Sequence, residues 1–194
     1  MRNGILFHEL LDILYIQSTL VDQGCLLRGS VTIGSILVKN GFVFGPALIR
    51  AYKLENEIAN YPRIIIDPIV FDYFDKTHLL KADQHDHKME KSYLKPLLRL
   101  DADGIWYLDY LRGIQTEFDD NAGYIDLLMK HKNMISLKSK KIIHLDRLAV
   151  KYTWLACYHN GVVNELKEDM LKPYDLTKKD LLVTSKDIKP MYKL

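Results

Sequence analysis

The chain has 194 residues, 48% of them hydrophobic and 27% charged, with a net charge of +2 at neutral pH. That length holds one substantial core or two smaller ones, and the composition is that of a folded globular protein rather than a disordered or fibrous one. The near-neutral charge carries no nucleic-acid footprint, and no apolar run approaches the ~18 residues that span a bilayer, so neither nucleic acid nor membrane is expected as a partner.

The N-terminal stretch MRNGILFHELLDIL has acids inside its apolar run and no small-residue cleavage site, so it does not read as a signal peptide. Leu6, Leu10, Ile13, Leu14, Gln17, Leu20 and Val21 fall on one face of a helix predicted over residues 5–22, which Gly24 should end. The two cysteines, Cys25 and Cys157, each lie among apolar residues and are expected to be reduced core thiols in a cytoplasmic protein.

Residues 28–66 carry the densest local signal. Leu27, Gly29, Val31 and Ile33 alternate with Arg28, Ser30 and Thr32, the period of a strand with one buried face. Asn40-Gly41 predicts a tight hairpin, because both turn positions can need positive φ. Phe42, Val43 and Phe44 return as a strand, and Gly45-Pro46 breaks it and opens a helix in which Leu48, Ile49, Ala51, Tyr52 and Leu54 face one way, with Glu55 and Glu57 on the polar side. Pro62 stops that helix, and Ile64, Ile65 and Ile66 form a strand that is apolar on both faces and hence central in a sheet.

Asp67-Pro68 predicts a short helix over residues 69–75. The polar segment that follows holds His78, His85 and His87 near Asp83 and Asp86; a metal site can be written from them, but a solvated loop is the better reading. Residues 93–100 and 105–110 are expected to form a hairpin around Asp101-Ala102-Asp103-Gly104. A calcium loop fails there, because its twelfth position is Arg112 rather than glutamate. Residues 116–121 read as an acidic linker, and helices are expected over residues 123–138 and 140–168, the second kinked or ended at Asn160-Gly161. His159 is a candidate base or, in the preferred reading, a satisfied helix-end histidine. Residues 170–194 hold two prolines and six lysines and read as a surface-hugging tail. Phosphate loops, nucleophile elbows and paired zinc motifs are missing from the sequence. Arg28, Arg50, Lys53, Arg63 and Arg99 can be gathered into a phosphate cleft or left as a solvated face, the latter being preferred.

The segments LLRGSVTIG, GFVFGPALIRAYKLE and YPRIII, in that order, resemble the second half of a class III nucleotide cyclase domain, and most of all the pyrimidine nucleotide cyclases of the Pycsar anti-phage system. The aromatic stretch KYTWLACYHN is similar to that branch as well. The resemblance covers about residues 26–67 well and residues 107–160 loosely. It implies an α+β fold with a partial ferredoxin-like, cyclase-type sheet, helices packed on one face and a C-terminal helical extension. The corresponding organisation is a cyclase-like core over residues 1–112, the extension over 113–169 and a tail over 170–194. It also implies a nucleoside triphosphate as ligand, magnesium or manganese as cofactor, and a homodimer or partner chain that completes the site. The family's metal-binding aspartates lie on strands upstream of the segment matched, so no metal ligand is identified in this chain, which is expected to be truncated and inactive in isolation. By position, Lys53 stands where the family has its transition-state arginine and is the candidate catalytic residue. Ile49 stands in place of the ribose-orienting asparagine and Phe42 in place of the purine-reading aspartate. Phe42, Ile49 and Arg50 are the candidate nucleotide-binding residues. Loss of the purine-reading aspartate favours a pyrimidine substrate. The alternatives are a catalytically dead cyclase-fold module for dimerisation or nucleotide sensing, and an unrelated α+β interaction protein.

Overall fold

The computed structural model describes residues 5–140 and 146–184. The fold is α+β with a small mixed sheet, and it divides into two compact units. The first comprises the chain through Ile16 together with Leu27–Gly113; the second comprises Gln17–Leu26 and the described residues from Ile114 onward.

Helix α1 (Ile5–Asp22) begins in the first unit, where it buries Leu6, Leu10 and Leu14, three positions of its predicted apolar face. Strand β1 (Gly29–Val31) is followed by a hairpin of β2 (Leu37–Lys39) and β3 (Phe42–Phe44), then by helix α2 (Pro46–Glu57) and strand β4 (Ile64–Ile66). Asn40 and Gly41 both have positive φ, +52° and +80°, so the turn takes the primed form that matches strand twist. The sequence reading expects a tight hairpin at Asn40-Gly41 and a return strand over Phe42, Val43 and Phe44, without saying which sheet they join. β2 and β3 pair with each other as a separate two-stranded ribbon, Leu37 opposite Phe44 and Lys39 opposite Phe42.

The four-stranded sheet has the order β1-β4-β6-β5, with β5 (Leu98–Leu100) and β6 (Trp106–Leu108) flanking the turn at Gly104. β1 runs parallel to β4, whereas β4 with β6 and β6 with β5 are antiparallel. All three isoleucines of β4 are buried, as expected for an interior strand. Helix α3 (Pro68–Lys76) follows β4, capped by the Asp67 side chain, which accepts from the Ile69 N–H at 3.3 Å. Helix α4 (His87–Leu94) replaces the end of the expected loop and the first two residues of the strand expected over 93–100. The Asp86 carboxylate caps it by accepting from the Met89 N–H at 2.7 Å, and a 3₁₀ turn at Lys95–Leu97 leads into β5. A short helix α5 (Tyr110–Gly113) closes the unit.

The second unit is helical. α6 (Asn121–Lys140) packs against α7 (Asp146–Glu165), and short helices α8 (Glu168–Leu171) and α9 (Lys178–Leu181) follow. The predicted linker is a 3₁₀ turn, Gln115–Glu117, and Asp120 caps the start of α6 through the Gly123 N–H at 3.0 Å. Asn160-Gly161 does not end the helix: α7 continues to Glu165, and Val162 and Val163 beyond that pair are buried. The stretch expected as a surface-hugging tail buries Leu171, Leu181 and Val183; the part of that expectation beyond residue 184 lies outside the described residues. Both cysteines are exposed, which corrects their assignment to the core. Cys25 follows the left-handed Gly24 that ends α1, and Cys157 lies on the outer side of α7, whose inner side carries Leu155 and His159. Among the described residues no helix is long and apolar enough to cross a membrane.

Asp67 joins four elements of the first unit. Its buried carboxylate accepts from Arg50 Nε and Nη2 on α2, from Thr32 Oγ1 just past β1 at 2.5 Å, and from the first turn of α3. The guanidinium of Arg50 holds this carboxyl below the usual carboxylate range, with Thr32 and the Ile69 N–H adding to it against the opposing effect of burial. A depressed folded value means that the stabilisation is present above the ordinary carboxyl range and is lost as pH falls through the folded value. We expect Asp67→Ala to lower stability by about 2–3 kcal/mol, because the Arg50 guanidinium, the Thr32 hydroxyl and the Ile69 N–H all lose their one buried acceptor. Urea unfolding at pH 7 measures the loss, and the difference between variant and native chain should shrink at strongly acid pH.

Candidate functional site

The glycine-proline junction explains how the hairpin and α2 come together. Gly45 sits at φ +147°, and a Cβ there would lie 2.6 Å from the Ser35 carbonyl oxygen, so the chain can turn from β3 into α2 only without a side chain. Pro46 then occupies the first helical turn, and the Ala47 N–H returns to the Ser35 carbonyl at 3.2 Å. Gly34 lets the β1 exit approach the same turn, since a Cβ added there would lie 3.3 Å from that of Ala47. From this start α2 lies over β1, where Ser30 Oγ donates to the Ala51 carbonyl at 2.8 Å.

Ile49 and Lys53 are one turn apart on α2 and so share a face. Both are exposed, and Ile49 is an apolar side chain with nothing to offer a ribose hydroxyl. Phe42 stands on β3, the strand that adjoins α2, and is 73% exposed. Arg50 is turned to Asp67 and donates to it from two nitrogens, so its guanidinium is engaged within the fold. Arg28, Arg63 and Arg99 are likewise matched with carboxylates: Arg28 with Glu55, Arg63 with Asp101 and Asp103, and Arg99 with Asp109 at 3.7 Å. They form neither a common cleft nor a plain solvated face. Arg63 is fully buried, with Tyr61 and Tyr107 rings 5.0 and 5.5 Å from its guanidinium carbon. Its two aspartates are those of the D-x-D-G turn, which therefore spends its carboxylates on an arginine rather than on a cation from solvent.

Around these residues the surface is apolar. Leu37, Val38, Phe42, Val43 and Phe44 are exposed on both faces of the ribbon, and Leu48, Ile49 and Tyr52 continue the exposure along α2, which has no buried residue. The predicted apolar face of α2 exists, then, but only Ala51 and Leu54 of it are even half-buried.

A cleft of about 200 Å³ lies elsewhere in the first unit, lined by residues that include Phe7, His8, His85, Glu90 and Tyr93. The buried Glu90 carboxylate accepts from the Ala82 N–H at 2.8 Å and meets His85 Nδ1 at 2.9 Å. His87 is directed instead to Asp75 at 3.0 Å, and His78 is exposed, so the three histidines of this segment do not converge. Neither is the segment a simple solvated loop, since Lys81 and Glu90 are buried. Sequence reasoning passed over Glu90; its spacing five residues after His85, at the inner side of a capped helix, is the signal that marks it. His159 is satisfied, as preferred, but in mid-helix rather than at a helix end: it is buried against His131.

Among the described residues there is no group of three or more histidine, cysteine, aspartate or glutamate side chains arranged to hold a metal ion. Asp67, the buried carboxylate beside α2, is saturated by Arg50 and Thr32. The described residues therefore do not fit the magnesium or manganese that the resemblance implies. No family model matches the chain, and no curated protein or solved structure matches it.

The junction is testable by itself. Gly45→Ala places a methyl group against the Ser35 carbonyl in a backbone region that alanine avoids, and we expect a loss of roughly 2–3 kcal/mol. Gly41→Ala, where a Cβ meets nothing within 4 Å, keeps only the φ penalty and should cost about 1 kcal/mol. Thermal unfolding of the two variants side by side checks the order.

Proposed function

We propose that this chain is a class III cyclase-type protein of the pyrimidine branch, contributing the nucleotide-binding side of a site that a second copy helps to form. The observation that carries the reading is the unit β1–hairpin–α2–β4, with the Gly45-Pro46 junction and Lys53 exposed on the helix. The resemblance implies that order of elements, and the sheet order β1-β4-β6-β5 suits a ferredoxin-like core of which some strands are not represented. On this reading Lys53 meets the triphosphate as a point cation, without the bidentate fork of an arginine. Phe42 offers a ring on which a base can stack, and Arg50 acts indirectly by fixing α2 to Asp67.

The chain on its own is not expected to catalyse cyclisation. In-line attack on a phosphate needs its charge neutralised, which in this family is the work of two metal ions, and the described residues hold no ligand set for them. Cytoplasmic placement and a role in anti-phage signalling belong to the same proposal. The second reading, a catalytically inactive association module, is favoured by the ribbon itself. A two-stranded hairpin is marginal alone, and one with apolar residues exposed on both faces gains most from being covered.

Two measurements test this. The protein is incubated with ATP, GTP, CTP and UTP in manganese and the products are separated by mass spectrometry; calorimetry with CTP and UTP follows. We expect no cyclic product, and pyrimidine nucleotide binding that Lys53→Ala weakens about tenfold, the scale of one lost phosphate contact. Binding indifferent to Lys53 would sink the nucleotide reading. Sedimentation then addresses pairing: the native chain is expected to be a dimer that Val43→Asp converts to a folded monomer, and a native monomer at all concentrations would refute the association.

A further inference from the structure

The last described residues are gripped in a manner that helix packing does not require. At the end of α9, Leu182 turns to an extended conformation with φ −63° and ψ 138°. Leu181, the last residue of α9, is buried, and in the extended residues after it Leu182 is half-buried, Val183 buried and Thr184 exposed. Its main chain is held by side chains of α6 and α7 rather than by a neighbouring strand. Asn160 clamps Val183 from both sides, Nδ2 donating to the carbonyl and Oδ1 accepting from the N–H, each at 2.8 Å. His159 Nε2 donates to the Leu181 carbonyl at 2.9 Å, and Lys132 Nζ donates to the Asp180 carbonyl at 2.8 Å. Backbone readout with alternate apolar side chains in pockets is the logic by which proteins recognise extended peptides.

The hold depends on a single proton. A carbonyl oxygen accepts, so His159 carries its hydrogen on Nε2, and the lone pair of the neutral ring is on Nδ1. That nitrogen lies 3.0 Å from His131 Nδ1, which must therefore donate. One proton fits between the two nitrogens. A second sets two N–H groups against each other where both rings are fully buried. Burial pushes His159 down to about 4 and His131 well below its ordinary value. The charged groups seen around the pair among the described residues do not offset this. Lys132 of α6 opposes a charge on His159, and Asp180 of α9 is exposed and engaged with the Thr177 N–H and hydroxyl at 2.8 and 2.7 Å. Lys178 of α9 adds a further cation, donating to the Asn164 carbonyl at 2.8 Å.

We propose that residues 181–184 are a detachable latch seated in a receptor groove on α6 and α7, and that proton uptake by the His131–His159 pair releases it. A histidine held below its ordinary value in the closed state binds protons more readily in the open one. The latch is therefore fully closed above about pH 6.5 and is lost as pH falls towards 4, with the opening constant rising roughly tenfold per pH unit across that window.

The test is hydrogen exchange read by mass spectrometry on the full chain at pH 7.5 and 5.0, corrected for intrinsic exchange rates. Expected is a loss of at least about tenfold in protection for the peptide covering residues 180–184, including the Val183 amide, while α6 and α7 stay protected. Asn160→Ala should give the open pattern already at pH 7.5. His159→Gln retains an N–H donor, and combining it with His131→Gln removes both sites of proton uptake, so the pH step should vanish in the double variant. Protection of the segment that does not change with pH in the native chain, or that falls only together with α6 and α7, overturns the proposal, as does a pH step that survives in the double variant.

Discussion

Asp67 is the point on which the first unit turns. β1 and β4 run parallel, so the ends of both strands arrive at the same edge, and the chain must cross over through the hairpin and α2 to return. One buried carboxylate at that edge ties the crossing helix through Arg50, the β1 exit through Thr32, and the next helix through its first N–H. Such a charge is costly to bury, and it is tolerated because its acceptor capacity is filled by donors from separate elements. The rest of the arrangement follows: α2 is anchored at its middle, its outer face is left to solvent, and Lys53 is carried outward one turn from Ile49.

The opposite end of β4 is fixed by a complementary device. Arg63 precedes the strand, is fully buried, and is met by Asp101 and Asp103 from the turn between β5 and β6. A cation at one end of the central strand and an anion at the other, each paired with a different neighbour, define how β4 is placed between β1 and β6. Electrostatics here contribute position more than energy, because replacing a satisfied buried pair with apolar residues is often neutral while breaking it is not.

Much of the first unit was legible from residues. The Asn40-Gly41 turn, Pro46 at the start of α2, the buried run Ile64 to Ile66 and the Asp-Gly turn after β5 are local signals, and each has its structural counterpart. What escaped were facts that depend on distant partners. Periodicity shows that α2 has an apolar face, but whether Leu48 and Tyr52 are covered is decided by the rest of the chain. The same holds for the cysteines, whose apolar neighbours in sequence say little about the side of the helix they occupy. His85 and His87 look like a pair in sequence, yet the Asp86 cap starts a helix between them and sends each to a different carboxylate. Asp67, Glu90 and His131 carry no motif; their roles come from burial together with a partner remote in sequence or on the next turn.

The two units also answer acid in different ways. In the first, stability rests on ionised carboxylates with depressed values, so it is lost only where protons reach groups that are already hard to protonate. In the second, the buried contact between α6, α7 and the segment after α9 rests on two neutral histidines, whose ordinary value lies well above that of a carboxyl group. Falling pH therefore acts on the helical unit first and on the Asp67 junction later. A buried histidine pair is an expensive way to join helices, since an apolar pair of the same volume would pack without needing a defined tautomer. What it adds is a contact that depends on a single shared proton. That dependence is confined to the place where side chains of α6 and α7 hold the Leu181 carbonyl and both main-chain groups of Val183.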